Sequence, residues 1–283
     1  MSIKEYLNVH KNSLSKDYNA SVTNLSLPEF DKQNEIISQI HKNFITGIMP
    51  NIFQNSPIFD IHVIGSGTQG YVLRFKCQNM KESVDKFEEL VKLSRINKGA
   101  NFTSMPNEVA IKIQTFITMN KHFEERVLRE EYLLDKIQGF TSNDLKQYIP
   151  NFYYGATIGL SANVRFRLTF MELIDNTKYA TLEKLISEKI NLSDQSYATI
   201  KRIASLLWKA KITHNDLSLR NILVNRSNPD DIKIVDFGLA QMLSPDVNID
   251  TEELYKQHFQ GKSGDEQHGS NVAKLLELFR YVK

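Results

Sequence analysis

A glycine-rich turn between two alternating segments most constrains the fold of this chain. In FDIHVIGSGTQGYVLRFKC, from Phe59 to Cys77, apolar and polar residues alternate on both sides of the glycines. A two-residue period is typical of β-strands, so the segment predicts a β-hairpin. A strand and not a helix follows the turn, which argues against the strand–turn–helix unit that binds dinucleotides.

Further along the chain, strands come before most of the helices. Helices are expected at KESVDKFEELVKLSRI, HFEERVLREEYLLDKIQGF, TLEKLISEKI and DQSYATIKRIASLLWKAKI, and strands at EVAIKIQTF and RFRLTFMELI. DIKIVDFGLAQML indicates a short strand that ends in a turn. This order predicts an α+β chain with a β-rich first lobe and a mainly helical second lobe.

Three regions are predicted along the chain. Residues 1–57 form an N-terminal extension, in which LPEFDKQNEIISQIHKNFITGIM carries apolar residues at helical spacing and predicts an amphipathic helix that packs as a cover. Residues 58–172 form the first lobe, with a helical insert near residues 81–97. Residues 173–283 form the second lobe.

Composition narrows the class of protein but not its chemistry. A hydrophobic content of 41% and a charged content of 24% are ordinary for a soluble globular protein, and a net charge of +2 predicts neither nucleic acid nor membrane as a partner. Cys77 is the only cysteine, which predicts a reducing compartment, the cytoplasm or the nucleus. The first residues are too polar for a secretory signal, and no apolar run reaches the roughly 18 residues of a membrane span.

The glycine-rich turn itself is a candidate phosphate site. Its pattern G-x-G-x-x-G lets backbone N–H groups approach phosphate oxygens, because a Cβ there would hold the ligand away. Structural hairpins share the pattern, so the motif alone does not decide between the two. The candidate nucleotide-binding residues of the turn are Ile64, Gly65, Ser66, Gly67, Thr68, Gln69, Gly70, Tyr71 and Val72.

One lysine, Lys112, stands in the apolar strand sequence VAIK. A lysine that points into a core requires an anionic partner, whereas most strand lysines face solvent. Glu130 on the next predicted helix is the favoured partner, because the apolar residues of that helix follow it at helical spacing and place it near the packed face. Its neighbour Glu131 is the alternative, about 100° away around the helix.

A polar cluster interrupts the apolar pattern in ITHNDLSLRNILV. Its Asp216 can accept the proton of a substrate hydroxyl, and its Asn221 carbonyl can bind Mg²⁺. Arg220 can neutralise a phosphoryl group in transfer. Asp236, at the end of the strand in IVDFGLA, is a second candidate metal ligand. A turn stabilised by Asx and Ser hydrogen bonds is the structural alternative for the cluster.

Together these motifs resemble the eukaryotic-type protein kinase superfamily over roughly residues 58–240. The glycine-rich hairpin, strand lysine, helix glutamate, hinge segment MELI, H-x-D-x-x-x-x-N and D-F-G occur once each and in the order that a kinase requires. The resemblance implies that ATP and Mg²⁺ bind between a β-rich lobe and a helical lobe. The nucleotide-binding residues that it implies are Lys112, Glu130, Met171 as gatekeeper, Glu172 and Ile174. The catalytic residues are Asp216, Lys112 and Arg220, and the metal ligands are Asn221 and Asp236.

Three features depart from a typical kinase. The long interval between Gly70 and Lys112 requires an insert, expected to bulge out of the first lobe. Ser218 stands where serine/threonine kinases carry a lysine, and few residues follow Asp236. Both features are similar to RIO kinases and to the small kinase subunit of the KEOPS complex, and they imply a truncated helical lobe. In that interpretation Asp250 anchors the catalytic loop; a simple N-cap of the following helix is the alternative.

The function that this resemblance implies is an ATP-dependent protein kinase acting on serine or threonine hydroxyls of a protein substrate. One alternative is a small-molecule phosphotransferase similar to aminoglycoside or choline kinases, which share the H-x-D-x-x-x-x-N loop. The glycine-rich hairpin and VAIK favour the protein kinase. A second alternative is a pseudokinase that acts as a binding module, against which Lys112, Asp216 and Asp236 are all present. The oligomeric state is left open.

Overall fold

The structure is a computed structural model that describes residues 58–67, 70–90, 93–117, 121–140, 144–159, 164–190 and 192–243. The predicted helix of the N-terminal extension, Thr68, Gln69, Asp250 and the last predicted helix lie outside the described residues. The chain divides into two compact units, Met1–Glu124 with Phe152–Leu173 and Glu125–Asn151 with Ile174–Lys283. The segment from Glu125 to Asn151 thus groups with the second unit, whereas the sequence analysis assigns it to the first lobe.

An antiparallel six-stranded sheet forms the framework of the first unit. Its strands are β1 (Ile58–Gly67), β2 (Gly70–Cys77), β3 (Leu93–Lys98), β4 (Glu108–Ile117), β5 (Phe152–Gly159) and β6 (Val164–Met171). They lie in the order β1-β2-β4-β6-β5-β3. The predicted hairpin is β1–β2, and the two other predicted strands of this lobe are β4 and β6. Strands β3 and β5 were not predicted.

The insert between β2 and β4 covers one face of this sheet. Helix α1 (Met80–Leu90) places Met80, Val84 and Phe87 in the core, where none of the three is exposed to solvent. The predicted helix was wrong from Leu93 onward, because this segment pairs with the edge of β5 as strand β3. The expectation that the insert bulges outward was also wrong, because its apolar side chains are buried against the sheet.

The opposite face of the sheet is polar where β4, β5 and β6 lie side by side. Gln114 lies across from Arg167, and Arg167 across from Thr157. Arg167 is fully buried; its Nη1 donates to Thr157 Oγ1 at 2.9 Å and to the carbonyl of Arg95 at 3.1 Å. Since strand side chains alternate between faces, Lys112 shares this polar face with Gln114.

The second unit contains most of helix α2 (Lys121–Gln138), with α3 (Leu182–Ser187) and α4 (Asp194–Lys209). All three were predicted, although α3 ends earlier than its predicted segment. Thr181 caps α3 by accepting from the backbone N–H of Lys184, and Ser193 caps α4 by accepting from that of Ser196. These side-chain acceptors satisfy N–H groups that the first helical turn leaves without a partner, which fixes where each helix begins.

Two small antiparallel sheets complete the described part of the second unit. One contains β7 (Tyr179–Thr181), β9 (Ile222–Asn225) and β10 (Ile232–Ile234), in the order β10-β9-β7. The other pairs β8 (Ile212–Thr213) with β11 (Gln241–Met242). The polar cluster of ITHNDLSLRNILV therefore lies between β8 and β9. Among the residues that the structure describes, no helix is both long and apolar enough to pass through a membrane.

Candidate active site

The glycines of the β1–β2 hairpin are not equivalent. Gly67 lies across from Gly70 at the end of the ladder, where the hairpin closes. A Cβ on Gly70 would lie 1.9 Å from the carbonyl oxygen of Ile113, so only glycine fits there. A Cβ on Gly65 would make an ordinary 3.7 Å contact with Val72. Packing therefore requires Gly70 but does not require Gly65, whose predicted role in binding phosphate stays a prediction.

Lys112 lies at the centre of β4, half-buried on the polar face. Val72 of β2 and Thr169 of β6 are its neighbours across the strands. Two positions further along the same face, Ala110 lies across from Met171. The strand register therefore places Lys112, Met171 and Val72, which follows the glycines, on one face of the sheet.

After Met171 the chain leaves β6 in a segment, residues 172–175, that is neither helix nor strand. Met171, Glu172 and Ile174 are all half-buried. Ile174 belongs to the second unit and Glu172 to the first, so the predicted base-binding segment is where the chain passes from one unit to the other. Backbone between elements has N–H and C=O groups that are not used by a helix or a strand.

Hydrogen bonds within the loop between β8 and β9 bring Asp216 and Asn221 together. The side-chain amide of Asn221 donates to the backbone carbonyl of Asp216 at 2.7 Å and to its Oδ2 at 3.2 Å. The backbone N–H of Ser218 donates to the same carbonyl at 2.8 Å. Because both neighbours of the Asn221 amide are acceptors, its nitrogen faces Asp216 and its Oδ1 faces away.

Asp236 is held beside this loop by the pairing of β9, which follows the loop, with β10, which precedes Asp236. In the β9–β10 ladder Ile222 lies across from Ile234, and the backbone N–H of Val235 donates to the carbonyl of Asn221 at 3.0 Å. Asp236 follows in a left-handed conformation with φ 65°. A backbone hydrogen bond just beyond the β9–β10 ladder thus joins Val235, the residue before Asp236, to the backbone of Asn221.

Glu130 lies close to the segment that contains Asp236. A Cβ on Gly238 would lie 3.3 Å from Oδ1 of Asp236 and 4.0 Å from Oε2 of Glu130. Both Glu130 and its neighbour Glu131 are buried in α2, at 3% and 0% exposure. The proximity to Gly238 distinguishes Glu130 from Glu131, and the pairing of Glu130 with Lys112 stays a prediction.

Comparison with known families decides the class of this protein. A protein kinase domain model matches residues 92–262, more than half of the chain. This chain belongs to the protein kinase family. The match begins after the glycine-rich hairpin and includes Lys112, Asp216 and Asp236. No curated protein matches the chain.

The kinase domain confirms two predictions made from the sequence. The α+β fold, with a β-rich part followed by helices, is the predicted fold class. The chain is also a phosphotransferase, as its motifs indicate. The match to a protein kinase domain does not distinguish serine and threonine from tyrosine as the acceptor, nor RIO kinases from other kinases, so both expectations stay predictions.

The donor atoms of the second unit fit the magnesium ion that a kinase uses. The orientation of the Asn221 amide directs Oδ1 away from Asp216, and Asp236 contributes a carboxylate near Gly238. Among the described residues, no three His, Cys, Asp or Glu side chains gather into a group that would hold a metal ion. Proteins usually bind Mg²⁺ through one or two side chains while substrate phosphates and water complete the octahedron, and Asn221 and Asp236 match that number of donors.

Two residues of the loop have contacts that the sequence analysis left without a role. His214 is fully buried, its Nε2 donates to the carbonyl of Val235 at 3.2 Å, and its ring lies 4.7 Å from that of Phe237. Asn215 has φ 60°, and its amide donates to the carbonyl of Leu239 at 3.0 Å. Asparagine tolerates left-handed backbone better than most residues, which is the signal that the sequence offered.

The remaining loop residues differ in exposure. Arg220, a predicted catalytic residue, is exposed at the turn before Asn221. Ser218 is 7% exposed, and its carbonyl accepts from the backbone N–H of Asn221 at 3.0 Å. Ser218 is therefore part of the buried side of the loop, next to the backbone of Asn221.

Proposed function

We propose that this kinase transfers the γ-phosphate of Mg²⁺–ATP to serine or threonine hydroxyls of a protein substrate. The observation that carries the proposal is the assembly of Asp216, Asn221 and Asp236 in the second unit. Asn221 binds Asp216 through its side chain and the residue before Asp236 through its carbonyl. One asparagine thus links the candidate base to the candidate metal segment.

Each group has a chemical task in this proposal. Asp216 orients the attacking hydroxyl and accepts its proton. Asn221 Oδ1 and the Asp236 carboxylate hold Mg²⁺, which when bound neutralises charge on the ATP phosphates. Lys112 and the backbone N–H groups of the glycine-rich hairpin contact those phosphates, and Arg220 approaches from the exposed side of the loop. Positioning and electrostatics supply the catalysis, because phosphoryl transfer requires little covalent chemistry from the protein.

The proposed place within the family rests on Ser218, which stands where serine/threonine kinases usually carry a lysine and lies buried beside the backbone of Asp216 and Asn221. A serine at this position is similar to RIO kinases and to the small kinase subunit of the KEOPS complex. We therefore propose a protein substrate in a reducing compartment, without nucleic acid or membrane as a partner.

The test is transfer of labelled phosphate from γ-³²P-ATP with Mg²⁺ to proteins of a cell extract, followed by mapping of the phosphorylated residues by mass spectrometry. Asp216→Ala and Lys112→Met are expected to lower transfer by about a hundredfold or more. Asp194→Asn changes an exposed carboxylate outside the loop and serves as the control. Undiminished transfer by Asp216→Ala would refute the mechanism.

Other outcomes of the same experiment separate the alternatives. Labelled tyrosine in place of serine and threonine would overturn the specificity. Release of ADP with small alcohols or aminoglycosides, without protein labelling, would indicate a small-molecule kinase. Binding of Mg²⁺–ATP with no transfer to any acceptor would indicate a pseudokinase.

A further inference from the structure

Asn215 connects the loop that carries Asp216 to the turn that follows Asp236. Its side-chain Nδ2 donates to the backbone carbonyl of Leu239 at 3.0 Å. Leu239 is the last residue of the short 3₁₀ turn Phe237–Leu239, which begins directly after Asp236. One hydrogen bond therefore joins the neighbour of the candidate base to the turn next to the candidate metal ligand.

The backbone conformation of Asn215 is part of the same arrangement as its side-chain hydrogen bond. Asn215 and Asp236 both have left-handed backbone, at φ 60° and φ 65°. Residues other than glycine keep this conformation when surrounding contacts hold it, and asparagine tolerates it best. The left-handed turn at Asn215 directs the chain from β8 toward Asp216, while its side chain reaches across to Leu239.

Asn215 extends a row of attachments between the two segments. The β8–β11 ladder pairs Thr213 with Gln241. Nearer the site, His214 Nε2 donates to the carbonyl of Val235 at 3.2 Å, before Asp236. The Asn215 bond falls after Asp236, so the metal carboxylate lies between two side-chain attachments that come from adjacent residues of one loop.

We propose that Asn215 is a positioning residue that sets the distance between Asp216 and Asp236. It rests on the proposed function, because it assigns Asn215 a part in the same transfer reaction. Asn215 touches neither substrate nor metal in this scheme; it acts through the turn at Phe237–Leu239. The hydrogen bond from the Asn215 side chain to Leu239 would thus hold the Asp216 and Asp236 carboxylates at a fixed separation.

Two variants separate the side-chain bond from the backbone conformation. Asn215→Asp keeps the shape and the tolerance for left-handed backbone but removes the donor. Asn215→Gly also keeps the backbone conformation, removes the side chain and introduces no charge. Asn228→Asp makes the same chemical change at an exposed position in the turn between β9 and β10 and is the matched control.

Steady-state kinetics and hydrogen exchange are measured on all four proteins at full length. Both Asn215 variants are expected to lower kcat by about tenfold, the size of one hydrogen bond, with the KM for ATP changed less than about twofold. They are also expected to need more Mg²⁺ for half-maximal rate. Amides of residues 236–243 exchange faster in both variants than in the wild type and in Asn228→Asp.

The outcomes decide between a positioning role and a structural one. Normal kcat and normal Mg²⁺ dependence in Asn215→Gly would overturn the proposal, even if Asn215→Asp were impaired, since a new charge would then explain the loss. If the wild type transfers no phosphate, the proposed function fails. Exchange then still tests Asn215, because unchanged exchange of residues 236–243 in both variants overturns its role in holding the turn.

Discussion

Gly238 lies where a single added methyl group would press on the candidate metal carboxylate. Its Cβ would lie 3.3 Å from Oδ1 of Asp236, tighter than an ordinary contact, whereas Gly139 at the end of α2 would place its Cβ 3.4 Å from the Lys136 carbonyl. Gly238→Ala is expected to lower kcat by about tenfold, because displacement of the Asp236 carboxylate by a few tenths of an ångström would misplace the metal that it is proposed to hold. The measurement is kcat at saturating Mg²⁺–ATP.

Gly139→Ala is the matched control for this prediction, since it adds the same methyl group at nearly the same spacing away from the loop. It is expected to retain the wild-type kcat. Equal loss in both variants, or a Gly238→Ala enzyme with full activity, would show that Asp236 does not depend on the space at Gly238.

The two glycines of the hairpin allow a sharper test of the glycine-rich motif. Gly70→Ala forces a Cβ to within 1.9 Å of the Ile113 carbonyl, so it is expected to destabilise the first unit by about 3 kcal/mol. Gly65→Ala meets Val72 at an ordinary 3.7 Å and is expected to fold normally but to bind ATP more weakly. Urea unfolding and ATP titration measure the two effects. Normal ATP affinity in Gly65→Ala would remove the phosphate role from that residue.

At the scale of elements, helix α1 stabilises the first unit by covering the sheet. Phe87 is fully buried there, so Phe87→Ala is expected to cost about 3–4 kcal/mol through lost burial and the cavity left behind. Glu89→Ala, on the exposed side of the same helix, is the control and is expected to change stability by less than about 0.5 kcal/mol.

The reactivity of Cys77 measures how well helix α1 covers the sheet. Burial raises the pKa of its thiol, and Cys77 lies in the core cluster next to Met80. Alkylation needs the thiolate, so labelling of Cys77 in the wild type is expected to be slow at neutral pH and to require opening of the first unit. Phe87→Ala is expected to label at least tenfold faster by mass spectrometry. Equal rates in Phe87→Ala and Glu89→Ala would show that α1 does not control access.

The insert also shows where sequence periodicity ceases to predict structure. Met80, Val84 and Phe87 follow helical spacing and form α1, and the pattern continues through Leu93 and Ile96. Local spacing cannot show that the edge of β5 lies nearby and offers hydrogen bonds to an extended chain. Tertiary pairing therefore ended the helix and added β3 to the sheet.

At the scale of the whole molecule, periodicity and motif order predicted different properties. The order of strands and helices predicted the α+β fold, six short motifs in one order predicted the kinase family, and the match to residues 92–262 confirms both. The contacts of His214 and Asn215 were beyond prediction, because they depend on how two loops distant in sequence approach each other. No sequence motif indicates that these side chains bind the backbone carbonyls of Val235 and Leu239.

Binding of Mg²⁺–ATP is expected to stabilise the folded chain. A ligand that binds only the folded state raises the free energy of unfolding, by about 2.7 kcal/mol at a hundred times its Kd. We therefore expect Mg²⁺–ATP to raise the Tm, and ATP with EDTA to raise it much less, because Asn221 and Asp236 are proposed to contact the nucleotide only through the metal. Asp236→Asn weakens that ligation, so its Tm should respond alike to ATP with and without Mg²⁺. Asp194→Asn, an exposed carboxylate at the start of α4, should keep the full Mg²⁺ effect. A wild-type Tm that responds equally to ATP with Mg²⁺ and ATP with EDTA would contradict the assignment of both metal ligands.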